Sequence, residues 1–164
     1  AAMTSVPQCE REPDLAWKVN LCGTANAVEW CLRTGSRLVF LSSSYAVRPV
    51  NWYGRTKAAG EALAACVPSA LIVRCQFKER PYPYEVAPTD AFARALYADE
   101  VAARLVELVE SGTSGVRGIW GQRRSLFDFA RASRPDVRPC LRRDLPHRIP
   151  RDSSPRDAHE AAEA

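Results

Sequence analysis

The chain has 164 residues, enough for one domain with a core of its own, and a net charge of +4. Its 46% hydrophobic and 26% charged content is that of a folded globular protein, not of a disordered one. No run of 18 apolar residues exists to span a membrane.

In chain order, a helical pattern runs from about Pro13 to Thr34. Pro13 suits a first turn and Asp14 the positive helix end. Leu15, Val19, Cys22, Val28, Cys31 and Leu32 recur near three and four apart, and Gly35 supplies a stop. Arg37 to Ser42 is a short apolar run, read as a buried parallel strand ending in Ser42-Ser43-Ser44-Tyr45. Asn51 is placed to cap a helix reaching about Cys66. After the break at Pro68-Ser69, Ala70 to Cys75 reads as a second buried strand. Lys78 to Pro88 is rich in Pro and Tyr and reads as loop. Asp99 to Glu110 is expected to be a helix with Val101, Leu105, Leu108 and Val109 on its apolar face. Gly115 to Trp120 suggests a strand, and Ser125 to Arg134 a helix capped by Ser125. From Pro135 onward Pro, Arg and Asp dominate, so loop or disorder is expected.

Helix, strand, helix, strand with short loops is the grammar of an α/β sheet, and ligands of such sheets sit beyond the carboxyl ends of the strands. Ser43 stands at one such end and Tyr53 begins the next helix. Tyr53 and Lys57 are four apart, hence one turn apart on one helix face. A Lys ammonium beside a phenol favours the phenolate, so the Tyr53 pKa is expected to fall. Such a phenol can give a proton to a carbonyl or take one from an alcohol. By itself Y-x-x-x-K is a weak signal; a half-buried Tyr beside a solvated Lys gives the same letters.

Other signals are negative. Cys9, Cys22, Cys31, Cys66, Cys75 and Cys140 form no C-x-x-C pair and read as buried free thiols of a reducing compartment. His147 and His159 lack partners at ligand spacing, so no metal site is expected. The amino-terminal residues lack the basic and apolar regions of a signal peptide, and a cytoplasmic location is expected. Gly112 to Gly118 has the G-x-x-G-x-x-G spacing of a dinucleotide-binding loop, but a helix precedes it and a strand follows, the reverse of the required order. It reads as a helix stop and turn. Arginine is dense from Arg117 to Arg156, which fits either a solvated basic surface or an anionic ligand such as a diphosphate. No helix-turn-helix, zinc finger or ribonucleoprotein motif points to nucleic acid.

With Ser43, Tyr53 and Lys57 placed, the chain resembles the extended short-chain dehydrogenase/reductases, closest to the dTDP-4-dehydrorhamnose reductase (sugar nucleotide-binding) family. Ala1-Ala2-Met3-Thr4 resembles the end of that family's fourth strand, and Cys9-Glu10, Pro13, Ala16, Val19-Asn20 and Gly23-Thr24 the helix after it. Leu41 to Tyr45 resembles I-S-T-D-Y, and Tyr53 to Glu61 resembles Y-G-x-T-K-x-x-G-E. Leu71 to Arg74, Arg124 to Leu126 and Pro150 to Ser154 resemble later segments.

The resemblance implies an α/β fold: a partial doubly wound, Rossmann-like parallel sheet plus a small α+β substrate-binding part. Residues 1–75 would be the later half of the dinucleotide-binding domain, 76–150 the substrate-binding part, and 151–164 a disordered tail. It implies reduction of a 4-keto nucleotide sugar with NADP or NAD, Tyr53, Lys57 and Ser43 being catalytic. Ala1, Ala2 and Thr4, with Tyr53 and Lys57, would contact cofactor; Ser43, Ser44 and Arg151 would contact the nucleotide-sugar substrate. A homo-oligomer is compatible with it. The family's first strand, glycine-rich loop and next two strands have no counterpart in this sequence, so the chain alone is expected to bind NAD(P)H poorly and to leave a sheet edge uncovered. The loop from Ser44 to Asn51 is shorter than the family's and lacks its F-D-G, and Ser44 replaces the Asp of S-T-D. Three alternatives stand beside the reductase: a non-catalytic nucleotide-sugar-binding or regulatory homologue, an NAD-dependent sugar epimerase or dehydratase, and a truncated product without function.

Overall fold

The structure, a computed structural model, describes residues 2–145. Its first helix, α1 (Val6–Arg11), is capped by the Ser5 hydroxyl, which accepts from Gln8 N. A nearly continuous helical run follows: α2 (Pro13–Ala16), a π-helical stretch (Trp17–Cys22) and α3 (Gly23–Thr34). Then come β1 (Val39–Leu41), a 3-10 turn (Ser44–Ala46), α4 (Trp52–Ala64) and β2 (Leu71–Cys75). The short strands β3 (Phe77–Lys78), β4 (Val86–Pro88), β5 (Phe92–Ala93) and β6 (Leu96–Tyr97) lead into α5 (Ala98–Glu110) and β7 (Gly115–Ile119). The last elements are β8 (Arg124–Ser125), α6 (Leu126–Arg131), β9 (Arg138–Cys140) and a 3-10 turn (Arg142–Asp144).

The main sheet has the order β1-β2-β7, all parallel. Its central strand β2 is buried on both faces and apolar but for Arg74, as a sheet covered on both sides requires. Period-two alternation sends Ile72 toward α3 and α4, where it meets Val28, Cys31, Ala64 and Phe40. Leu71, Val73 and Cys75 point the other way, against Val101, Leu105 and Leu108 of α5. Helices thus cover both faces, the doubly wound arrangement. The chain reaches beyond residue 75 for the third strand of this sheet.

A second group of elements has its own core of Tyr82, Ala87, Ala95, Tyr97, Phe129 and Val137. Three two-stranded ribbons frame it: β3 with β6 and β4 with β9, both parallel, and β5 with β8, antiparallel.

Several expectations need correction. Strand β1 is parallel but not buried: it lies at a sheet edge and Val39 is 37% exposed. Leu15, Cys22 and Leu32 face outward, while Ala16, Asn20 and Leu21 are buried. A π-helical stretch inserts an extra residue and changes the phase, so one 3.6-residue periodicity cannot fit both halves. Cys66 is exposed as well, so the free thiols are not all buried. Val109 is exposed on α5. The Pro- and Tyr-rich loop contains β4, and residues after Pro135 include β9, which pairs with it. The turn between α5 and β7 is as expected: Gly112 and Gly115 have φ of 71° and 75° and sit between a helix and a following strand, the reverse of the order a dinucleotide-binding loop needs. Among the described residues no helix is long and apolar enough to cross a membrane.

Candidate active site

The site is built where β1, β2 and the start of α4 meet. Asn51, 2% exposed, caps α4 by accepting from Gly54 N at 2.8 Å. Trp52 N, another free donor of the first turn, donates to Glu10 Oε1 of α1 at 2.5 Å. Two contacts thus fix the helix end that carries Tyr53 and Lys57.

The segment before Tyr53 is held as closely. The π-helical stretch aims Asn20 inward; its Oδ1 accepts from Met3 N at 2.7 Å and its Nδ2 donates to Met3 O and to Thr56 Oγ1, each at 3.0 Å. Thr56 Oγ1 donates in turn to Tyr53 O at 2.9 Å. The amino-terminal strap is thereby tied to α4. Ala2 and Thr4, on either side of Met3, are exposed. Ala1 and Arg151 lie outside the described residues.

Tyr53 is 9% exposed and packs with Val6, Cys9 and Ala16. The Tyr45 ring meets it edge-on, centroids 5.8 Å apart. Burial pushes its phenol up to about 12; hydrogen bonding from the Ser43 side chain works in the opposite direction, and Cys75, Tyr45 and Cys9 add to the rise. The expected fall does not occur, because loss of water outweighs the other effects and Lys57 is not among them. Lys57 Nζ instead donates to Leu41 O at 2.8 Å and lies 5.0 Å from the Phe40 ring centroid. Burial holds the Lys57 ammonium below its usual range, opposed by Cys75 and Glu61. Ser43, Tyr53 and Lys57 are all buried; Ser43 hydrogen-bonds Tyr53, and Lys57 Nζ reaches Leu41 O at the end of β1. Ser44 opens the adjoining 3-10 turn and is half-buried.

Two groups near these residues are not among the expected site residues. Cys75 ends β2, with Sγ 3.8 Å from Ser42 O; burial pushes its thiol up to about 11 while Lys57 opposes the rise. Glu61 of α4 accepts from Ser42 Oγ at 2.5 Å and takes Arg74 in a two-pronged pair, Nη2 to Oε2 at 2.7 Å and Nε to Oε1 at 3.0 Å. The register explains the set. Leu41 opposes Val73, so Ser42 and Arg74 are next along the strands on the face that α4 covers. The available signal was the even spacing of Phe40 with Ser42 and of Ile72 with Arg74, together with Glu61 one helical turn beyond Lys57.

In sequence, residues 1–72 match the family described as polysaccharide biosynthesis protein. The dTDP-4-dehydrorhamnose reductase of Mycolicibacterium smegmatis is 28% identical over 195 residues, covering 93% of this chain and 59% of that protein. The chain therefore spans about three fifths of the length of that relative. In fold it is similar to a hypothetical dTDP-4-dehydrorhamnose reductase from Sulfolobus tokodaii, with a TM-score of 0.80 at 22% identity, over 98% of this chain and 71% of that one. The dTDP-4-dehydrorhamnose reductase of Bacillus anthracis, solved in complex with NADP, gives a TM-score of 0.76 at 23% identity, over 90% of this chain and 66% of that one. The Rossmann-like fold and the resemblance read from the residues are both borne out.

Proposed function

We propose that this chain, which is similar to dTDP-4-dehydrorhamnose reductases over 93% of its length, carries the proton-transfer part of an NAD(P)-dependent reductase acting on a 4-keto nucleotide sugar. The observation that supports it is the convergence of Ser43, Tyr53 and Lys57 at one strand end, with Tyr53 a protonated phenol at neutral pH. When bound, the nicotinamide cofactor supplies the hydride that reduces the ketone. Tyr53 gives its phenolic proton to the oxygen as it becomes an alkoxide. Ser43 hydrogen-bonds the same oxygen and, through its contact with Tyr53, eases formation of the phenolate. Lys57 fits a nicotinamide ribose: its ammonium has three donors, and Leu41 O is the acceptor found for it among the described residues. Asn20 and Glu61 position the parts without touching substrate.

In this reading residues 1–75 serve the cofactor side and 76–150 the substrate side, with Ala1, Ala2 and Thr4 near cofactor and Ser44 and Arg151 near substrate. NADP is favoured over NAD by the bound cofactor of the Bacillus anthracis structure. The described residues offer no glycine-rich loop between a strand and a following helix, so contact with the cofactor pyrophosphate is not assigned to them. That feature favours the second reading, a nucleotide-sugar-binding homologue without turnover.

Turnover decides between the two. The protein that carries this chain is given dTDP-4-dehydrorhamnose and NADPH, and oxidation of the nicotinamide is followed. Tyr53→Phe should lower kcat by roughly 10²- to 10⁴-fold with little change in substrate affinity. Substrate binding without turnover in the unaltered protein would sink the reductase reading and leave the binding one.

A further inference from the structure

At its carboxyl end, β1 meets Lys57 with both a carbonyl and a ring. Lys57 Nζ donates to Leu41 O at 2.8 Å and stands over the Phe40 ring, 5.0 Å from its centroid. Phe40 and Ser42 point to the sheet face that α4 covers, so the ring lies on the same side as the Ser42–Glu61 hydrogen bond. A helix with ordinary side chains would not admit the ring. Gly60 lies one turn beyond Lys57 on the buried face of α4, and a Cβ there would come 2.7 Å from Phe40 Cζ and 3.3 Å from Cε2. Glycine inside a helix costs stability relative to alanine. Here the missing methyl group opens the gap that the ring fills.

Little charge is available to support the Lys57 ammonium. The titratable groups beside it are Tyr53 and Glu61 on its own helix and Arg74 and Cys75 on β2. At neutral pH the Tyr53 phenol, pushed up to about 12, and the Cys75 thiol, pushed up to about 11, carry no charge. Glu61 is charged, but Arg74 takes both of its oxygens. Cys9 of α1 and Tyr45 of the 3-10 turn act on Tyr53, and Glu29 and Arg33 of α3 pair with each other in solvent. Burial therefore disfavours the ammonium with little to oppose it. The negative face of an aromatic ring attracts a cation most strongly where water is excluded, and Lys57 is 7% exposed.

We infer that Phe40 is a positioning residue for the proposed reaction: its ring, admitted by Gly60, seats the Lys57 ammonium at the strand end that carries Ser43. With ring and carbonyl fixed on one side, the remaining donors of the ammonium are presented together toward a ribose. The catalytic meaning of this seat rests on the reductase reading above; the seat itself does not.

The test reads Lys57 directly. The chain has three lysines, Lys18, Lys57 and Lys78, so carbon-13 at the lysine Cε gives three signals whose titration nuclear magnetic resonance follows in the full chain. Lys57→Arg assigns the signal. Phe40 is replaced by a phenylalanine fluorinated at both meta carbons, which weakens the negative ring face and leaves Cζ, the atom nearest Gly60, unchanged. Lys57 should then lose its proton at lower pH, its neutral fraction at a given pH rising about threefold or more, while exposed Lys18 titrates as before. Gly60→Ala, whose methyl group displaces the ring, should shift Lys57 in the same direction. In the protein that carries this chain, the fluorinated variant should weaken NADPH binding by about threefold or more and leave substrate affinity within about twofold. Lys57 titrating alike with either ring would overturn the seat, whatever the turnover. A shifted Lys57 with unchanged NADPH affinity would overturn the positioning role. A shifted Lys57 in a protein that binds substrate without turnover would keep the seat and remove only the reductase reading.

Discussion

The two cores of this molecule treat charge in opposite ways. Under α4, Glu61 and Arg74 pair with side chains only 11% and 16% exposed, and Ser42 occupies the same carboxylate. In the second part, Arg80 and Asp99 pair with side chains 47% and 64% exposed, and Arg124 is left without a carboxylate. The first arrangement holds Leu41 and Ser42 through four neighbours: Lys57, Val73 and Cys75 on the backbone and Glu61 on the Ser42 hydroxyl. The second leaves donors open. A closed network suits a place where proton transfer needs fixed geometry.

The largest expected effect breaks this contrast at its centre. Glu61→Ala leaves Arg74 buried without its counter-charge and Ser42 without its acceptor, which should destabilise the fold by about 3–5 kcal/mol. Asp99→Asn, at the exposed pair, should cost less than about 1 kcal/mol. Urea unfolding of both variants checks the difference; equal losses would show that burial does not separate the two regions.

Alkaline pH should act on the first region at an intermediate level. Tyr53 rises from 10.0 to about 12 and Cys75 from 9.0 to about 11, so the folded state holds these protons more tightly than the unfolded chain does. Their contribution is fully present below the unfolded values and is lost as pH climbs through the folded ones, between about 9 and 12. The Tyr53 share is on the order of 2–3 kcal/mol. Lys57 has the opposite sign: its lowered folded value costs stability while the unfolded side chain is charged, and that cost fades as pH rises past the usual lysine range. Urea unfolding at about pH 8 and about pH 11 should therefore show a loss that is smaller in Tyr53→Phe. An identical loss in that variant would mean that Tyr53 does not govern it.

What the sequence disclosed follows from how local each signal is. Asn51, Tyr53 and Lys57 lie within one helix start, so cap and face could be read directly, as could the continuous apolar run of β2. The Glu61–Ser42–Arg74 set joins residues 19 and 13 positions apart, and only the strand register brings them together. The rise of the Tyr53 pKa depends on α1 and α2 covering the phenol, and a spacing of four says nothing about that cover. Strands of two or three residues such as β3, β5 and β8 carry too few positions for an alternation to show. The change of phase at Trp17–Cys22 hid the inward aim of Asn20, although that residue stood in the family-like pattern.

The smallest expected effect compares two helix caps of equal strength. Asn51 accepts from Gly54 N at 2.8 Å, and Ser125 accepts from Asp128 N at 3.0 Å. Replacement by Ala should cost about 1 kcal/mol or somewhat more at either position, since each loses its bond to an otherwise free helix donor, and Ser125 also its donation to Asp128 Oδ2. Stability alone therefore cannot distinguish the two regions. Turnover should, because the Asn51 cap fixes the turn from which Tyr53 projects, whereas the Ser125 cap starts α6 in the other core. A small tilt of the first turn moves the Tyr53 hydroxyl away from Ser43, and proton transfer falls steeply with such misplacement. Asn51→Ala should lower kcat by about tenfold or more at nearly unchanged substrate affinity, and Ser125→Ala should leave kcat within about twofold. If both caps prove equal in kcat as well as in stability, the precise setting of α4 is not what the closed network provides.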